Sequence, residues 1–122
     1  MKKAVIVVGK HHAGKSLTIR GHLNPLLKIG YDAHKFTLNG KMGWIKSQTL
    51  EESGLDIASI RKHFDFDLLV FAARPESESG SKLNLLRNAL QTESFNVVLV
   101  NIQDKSEAPD KAREIFNLLN SN

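Results

Sequence analysis

Gly9, Gly14, Lys15 and Ser16 are the residues of this chain whose types and spacing could do chemistry. They form Gly-x-x-x-x-Gly-Lys-Ser, with Lys10, His11, His12 and Ala13 at the variable positions and Leu17 next in line. Such a pattern holds phosphate. Gly9 lets the chain turn sharply, and Gly14 removes a Cβ where backbone and phosphate must come close. Successive N–H groups then form an anion-holding nest, and a helix starting near Gly14 adds its positive end. Lys15 brings a full charge to the β- and γ-phosphates, and the Ser16 hydroxyl is offered to Mg²⁺. At ordinary residue frequencies these fixed positions coincide by accident in a chain of this length about 0.4% of the time. The competing reading is a glycine-containing turn that binds nothing.

The flanks are those the pattern needs. Val5 to Val8 are β-branched and apolar on both faces, as a buried parallel strand should be. Leu17 to Leu27 read as helix, so strand, loop and helix follow in the required order. On these residues the opening segment resembles the phosphate-loop (P-loop) NTPase superfamily. The resemblance implies a three-layer α/β fold, a mostly parallel sheet flanked by helices, over one domain spanning residues 1–122. It implies ATP or GTP bound with Mg²⁺ through Gly9 to Leu17, with Lys15 catalytic and Ser16 on the metal. It leaves the reaction open, because that superfamily hosts kinases, GTPases, motors and assembly factors. In size and motif order the chain is similar to the GTP-binding accessory proteins of molybdopterin-guanine dinucleotide assembly. It also resembles small nucleotide kinases, without room for their lid.

Other residues could join such a site. In the superfamily a second strand ends in an acidic residue that holds Mg²⁺ through water. Here Asp65 and Asp67 stand at the start of the apolar run 68–73, and its far end carries Arg74 and Pro75, with Glu76 and Glu78 following. Efficient phosphoryl transfer is therefore not expected, since metal placement is central to it. Arg74, just past a strand end, would face a ligand crevice and could clamp a phosphate as a second catalytic residue. The competing reading pairs it with Glu76 or Glu78. Gln48, Glu51 or Glu52 could position water, metal or a hydroxyl, or else only start a helix whose capping spacing is Thr49–Glu52. Asn101-Ile-Gln-Asp104 is similar to the Asn-Lys-x-Asp guanine motif of GTPases, with its lysine replaced. His11 and His12, being adjacent, are expected to diverge and not to chelate a metal.

The remaining elements must bring these groups together. Asn24-Pro25 predicts a kink or restart in the first helix, and Gly30 its stop. Tyr31–Leu38 reads as an edge strand, and Asn39-Gly40 as the turn of a β-hairpin. If that strand runs parallel to the first, Lys35 and Lys41 lie near a nucleotide and Trp44 could stack on its base; the stronger competing reading is exposed strand lysines and a core or edge tryptophan. Ile57, Ile60 and Phe64 predict a helix, as do Leu83, Leu86 and Leu90 after a cap at Ser81. Asn96–Ile102 reads as a third buried strand, and Pro109 opens a last helix packed through Ala112, Ile115, Phe116 and Leu119.

Composition bounds the rest. The chain has 122 residues, 41% hydrophobic and 25% charged, ordinary for one soluble domain. It has no cysteine, so disulfides and thiolate chemistry are excluded. A net charge of +4 and a pI near 9.5 suit a polyanionic ligand such as a nucleoside triphosphate. The basic residues are spread out, which argues against a nucleic-acid track. A small-molecule acceptor or a protein partner is compatible with the pattern. No apolar run approaches membrane-spanning length, and the short run Ala4 to Val8 after Met-Lys-Lys flows into the loop, so no signal peptide is expected. A cytoplasmic location, without membrane partners, is the corresponding expectation. The alternative function is a non-catalytic module that uses the loop only for an anion.

Overall fold

The computed structural model describes residues 2–121. The strands are β1 (Lys3–Val8), β2 (Lys35–Leu38), β3 (Lys41–Lys46), β4 (Leu68–Ala73) and β5 (Asn96–Asn101). They form one five-stranded sheet in the order β2-β3-β4-β1-β5. β1 runs parallel to β4 and β5, β3 runs parallel to β4, and β2 alone is antiparallel. A π-helical segment, Leu17–Leu23, continues into the short α1 (Asn24–Leu26). Then come α2 (Leu50–Ser53), α3 (Ile57–Ile60) with a 3-10 turn Arg61–His63, α4 (Leu83–Thr92), and α5 (Ala108–Asn120) after a 3-10 turn Lys105–Glu107.

Alternation along the strands separates two cores. Val5, Val7, Val70, Ala72 and Val100 pack with Ile19, Leu23, Ile115 and Leu119 on one face. Ala4, Ile6, Leu69 and Phe71 pack with Leu50, Ile60, Leu86 and Leu90 on the other. β1 and β4 are buried along their whole length, because helices cover both faces of a parallel sheet. Each fully buried Leu or Ile contributes about 1.5–3 kcal/mol, so these two apolar layers are the main source of stability. The fold is thus α/β, a mostly parallel sheet between helical layers, as expected.

The hairpin forms with Asn39 at φ 53° and Gly40 at φ 76°, the doubly positive pair a two-residue turn needs. Its direction corrects the conditional expectation. β3 enters the sheet beside the start of β4, with Gly43 opposite Leu68, so the turn lies at the end where β1 begins. There Asn39 donates to the Asn120 side chain at the end of α5. Lys35 and Lys41 therefore do not flank the glycine-rich loop. Trp44 is half-buried and stacked on His63, with ring centroids 3.7 Å apart, and is not free to meet a base.

Further local expectations shift. β5 closes the sheet as an edge strand, and Val97, Val98 and Leu99 are only partly buried. The first helix ends at Lys28, in the left-handed region at φ 60°, and not at Gly30, whose φ is not positive. Ile29 N–H reaches Asn24 O at 3.0 Å, the closing bond of a Schellman-type stop. Asn24 lies within the helical run: its backbone is helical, and its buried amide donates to Gly30 O and Tyr31 O. Gly54, at φ 69°, ends α2 as expected. At the start of β1, Lys3 is buried, and its ammonium donates to Leu118 O at 2.7 Å and to Ser121 Oγ at 2.5 Å. Leu118 O belongs to the last turn of α5, the negative end of that helix, and Ser121 follows directly after it.

Candidate functional site

The loop leaves β1 between two neighbouring strands. Gly9 N–H donates to Ala73 O at 3.1 Å, and Ile102 N–H donates to Val8 O at 2.8 Å. A Cβ on Gly9 would stand 2.8 Å from Ile102 O and 3.1 Å from Ala13 Cβ. Crowding, and not a positive φ, is what demands glycine there. His12 (φ 66°) and Gly14 (φ 102°) both take the left-handed region, and Gly14 also lies against Lys105. For His12 this costs about 1–2 kcal/mol, strain that persists only where the surroundings hold it.

Hydrogen bonding gives the loop a polarity. Some of its carbonyls are used internally: Gly14 O accepts from both Thr18 N–H and Thr18 Oγ1, and Lys10 O from Ala13 N–H. The Lys15 ammonium donates to Gly9 O at 2.5 Å and Lys10 O at 2.9 Å. Among the described residues, the amides of His11, His12 and Gly14 donate to no backbone carbonyl. A run of spare amide donors favours an anion.

Two cavities flank this loop. The first, about 370 Å³, is lined by His11, His12, Gly14, Lys15, Ser16 and Leu17. Arg20, Ser47, Gln48, Glu52 and Lys105 complete its wall. The second, about 400 Å³, lies behind the loop against Gly9, Lys10, Ala13, Pro75 and Asn101–Gln103. The nine residues expected to bind nucleotide thus divide between the two faces of one wall. Ser16 is exposed to the first cavity, while Lys15 is only 6% exposed.

Burial pushes the Lys15 ammonium below its ordinary pKa. Glu52 and Glu78 push it back up, Arg74 pushes it down, and Glu51 raises it slightly. The carboxylates that act on Lys15 therefore come from α2 and from the loop after β4, not from the end of β4 itself. Thr49 caps α2, accepting Glu52 N–H at 3.1 Å, and its hydroxyl donates to Glu52 Oε1 at 3.2 Å. That cap fixes the carboxylate at the cavity rim. Glu51 instead accepts Lys82 N–H at 3.2 Å, tying α2 to the start of α4.

Arg74 lines neither cavity. Its Nε is buried without a hydrogen-bond partner and lies 3.9 Å from Glu78 Oε2. Its carbonyl accepts from Ser81 Oγ at 2.9 Å, and Ser81 Oγ accepts Leu83 N–H at the start of α4. Asp104 is occupied in a capping box with Ser106 and Glu107, and Ile102 is buried, so the guanine-motif likeness lies in a helix start. His11 and His12 do not diverge: the left-handed backbone at His12 brings their rings to 3.8 Å.

Three wall residues had no sequence signal strong enough to single them out. Arg20 follows Ser16 by four residues on one helix face, and its Nε donates to Ser47 Oγ at 2.7 Å. That spacing could have flagged it. Ser47 and Lys105 reach the cavity only through the direction of β3 and the packing of the loop after β5. Among the described residues no three His, Cys, Asp or Glu side chains come together as a metal cluster. Mg²⁺ needs less, because one or two protein oxygens plus phosphates and waters fill its shell. The Ser16 hydroxyl and the Glu52 carboxylate line the same cavity. No protein-family profile matches the chain, and no curated protein or solved structure matches it either.

Proposed function

We propose that this chain binds a nucleoside triphosphate, ATP or GTP, with Mg²⁺ at the loop Gly9–Leu17, in the manner of P-loop proteins. The observation that carries the reading is the loop's hydrogen bonding: the amides of His11, His12 and Gly14 donate to no backbone carbonyl, and the Lys15 ammonium is held across the loop by Gly9 O and Lys10 O. On phosphate binding the Lys15 ammonium exchanges two carbonyl partners for phosphate oxygens, a stronger charge-assisted pairing. Ser16 and Glu52 would hold Mg²⁺, which supplies electrostatic neutralisation of the phosphates. Arg74, which lines neither cavity, adds positive charge near Lys15 and is restrained by Glu78.

Slow turnover, with binding used as a switch, is favoured over a fast phosphotransferase. The end of β4 offers Arg74 and Pro75 where a metal-orienting carboxylate would stand. Calorimetric titration with Mg²⁺–ATP and Mg²⁺–GTP tests the reading against Lys15→Ala. The variant is expected to bind at least tenfold more weakly, a loss of about 1.4 kcal/mol or more. Equal affinity of the two proteins would defeat it.

A further inference from the structure

On the opposite face of β3 a separate cavity of about 290 Å³ opens between that strand and the helical stretch 57–63. Its wall includes His34, Trp44, Lys46, Ser59, Lys62 and His63. Four of those six are basic, and no carboxylate lines it. The ion pairs among the described residues are Arg20–Asp32, Arg61–Glu93, Arg74–Glu78 and Arg113–Asp110, and none uses a group from this cavity. Like charges gathered round one hollow repel, and an anion relieves that repulsion.

The wall is held in place. The Trp44 indole lies flat on His63, 3.7 Å away and 9° from parallel, with Phe71 in the core at 5.9 Å and His34 at 6.2 Å. His34 Nδ1 donates to Ile45 O at 3.1 Å, which fixes its ring against β3. Along β3, Trp44 and Lys46 point to this cavity, while Ser47 belongs to the loop cavity. Burial lowers the Lys46 ammonium, with Arg20 adding to the effect. His63 is lowered by burial, then by Lys62, with Lys35 and His34 further contributing and Asp65 alone opposing. Perturbed groups in a cavity mark a site more often than a solvated face.

We propose that this cavity binds the phosphate group of a small phosphomonoester, held by Lys46 and Lys62, with His34, His63 and Ser59 around it and Trp44 as its rigid side. A phosphomonoester carries about −1.5 to −2 charges at neutral pH, which matches two ammonium groups better than a single carboxylate would. At this volume the site takes a compact metabolite and not a whole dinucleotide. The proposal does not depend on what the loop binds.

Trp44 is the only tryptophan of the chain, so its emission reports on this cavity. Glycerol 3-phosphate, titrated at constant ionic strength against a sodium chloride control, is expected to give a saturable change. Lys15→Ala should bind with affinity within twofold of wild type. Lys62→Ala and Lys46→Ala should each bind at least tenfold more weakly, while their thermal unfolding shows that the fold is kept. Lys62 is exposed, so its variant separates binding from folding. No saturable change beyond chloride would overturn the proposal. So would a change lost in Lys15→Ala and kept in Lys46→Ala and Lys62→Ala. A response to a single-stranded oligonucleotide but not to the phosphomonoester would also overturn it.

Discussion

Gly9 and His63 show how single residues carry constraint. Gly9 has no room for a Cβ against Ile102 O and Ala13. Gly9→Ala must move the loop or the end of β5, and overpacking of this kind costs about 1–3 kcal/mol. Urea denaturation is expected to show that loss, together with weaker triphosphate binding; an unchanged midpoint would refute the close approach. His63 makes a pH statement. Burial and the Lys62 charge hold it below its ordinary 6.5, despite Asp65. Between the ordinary and the lowered value the unfolded chain binds more protons than the folded one. Stability therefore rises with pH through that window and is lost as pH falls through it. Urea midpoints measured from neutral pH downward should fall across it, and His63→Gln should flatten that part of the curve.

At the scale of elements, α2 is a short piece that bears on the loop cavity. It has four residues, begins at the Thr49 cap and ends at the left-handed Gly54. Thr49→Ala removes the acceptor for Glu52 N–H, a change that costs about 1 kcal/mol. Thermal unfolding should register it, and metal-dependent triphosphate binding should weaken because Glu52 loses its support. Much of this element was legible in sequence: the Thr49–Glu52 spacing is local, as is the Asn39-Gly40 turn. What was not legible was direction. Whether β2 or β3 lies parallel to β1 depends on pairing with β4, some twenty-five residues later, and no local propensity encodes it. That one choice moved Lys35 and Lys41 away from the loop and brought Ser47, Gln48 and Glu52 to it. β5 was misjudged as buried because its apolar run resembles that of β1, whereas edge position depends on what lies beyond. The stop at Lys28 escaped notice because an αL lysine carries no signal comparable to glycine.

At the scale of the molecule, the sheet sorts its two ends. The ends of β1, β3, β4 and β5 that point the same way carry the loop, Ser47, Arg74 and Asn101, as an open parallel sheet collects its ligand groups. The opposite end carries the hairpin turn and the finish of α5, and there the buried Lys3 finds its acceptors. Among the described residues no helix is long and apolar enough to cross a membrane. The location of Lys3 has a cost for trimming. A chain cut after Asn120 would keep the buried Leu119 but lose Ser121 O and Ser121 Oγ, two of the three acceptors of that ammonium. Such a truncation should unfold several degrees lower than the loss of an exposed tail would explain, and Lys3→Met in the shortened chain should recover part of the difference. The far end of the helix is, in effect, the counter-charge for the first strand.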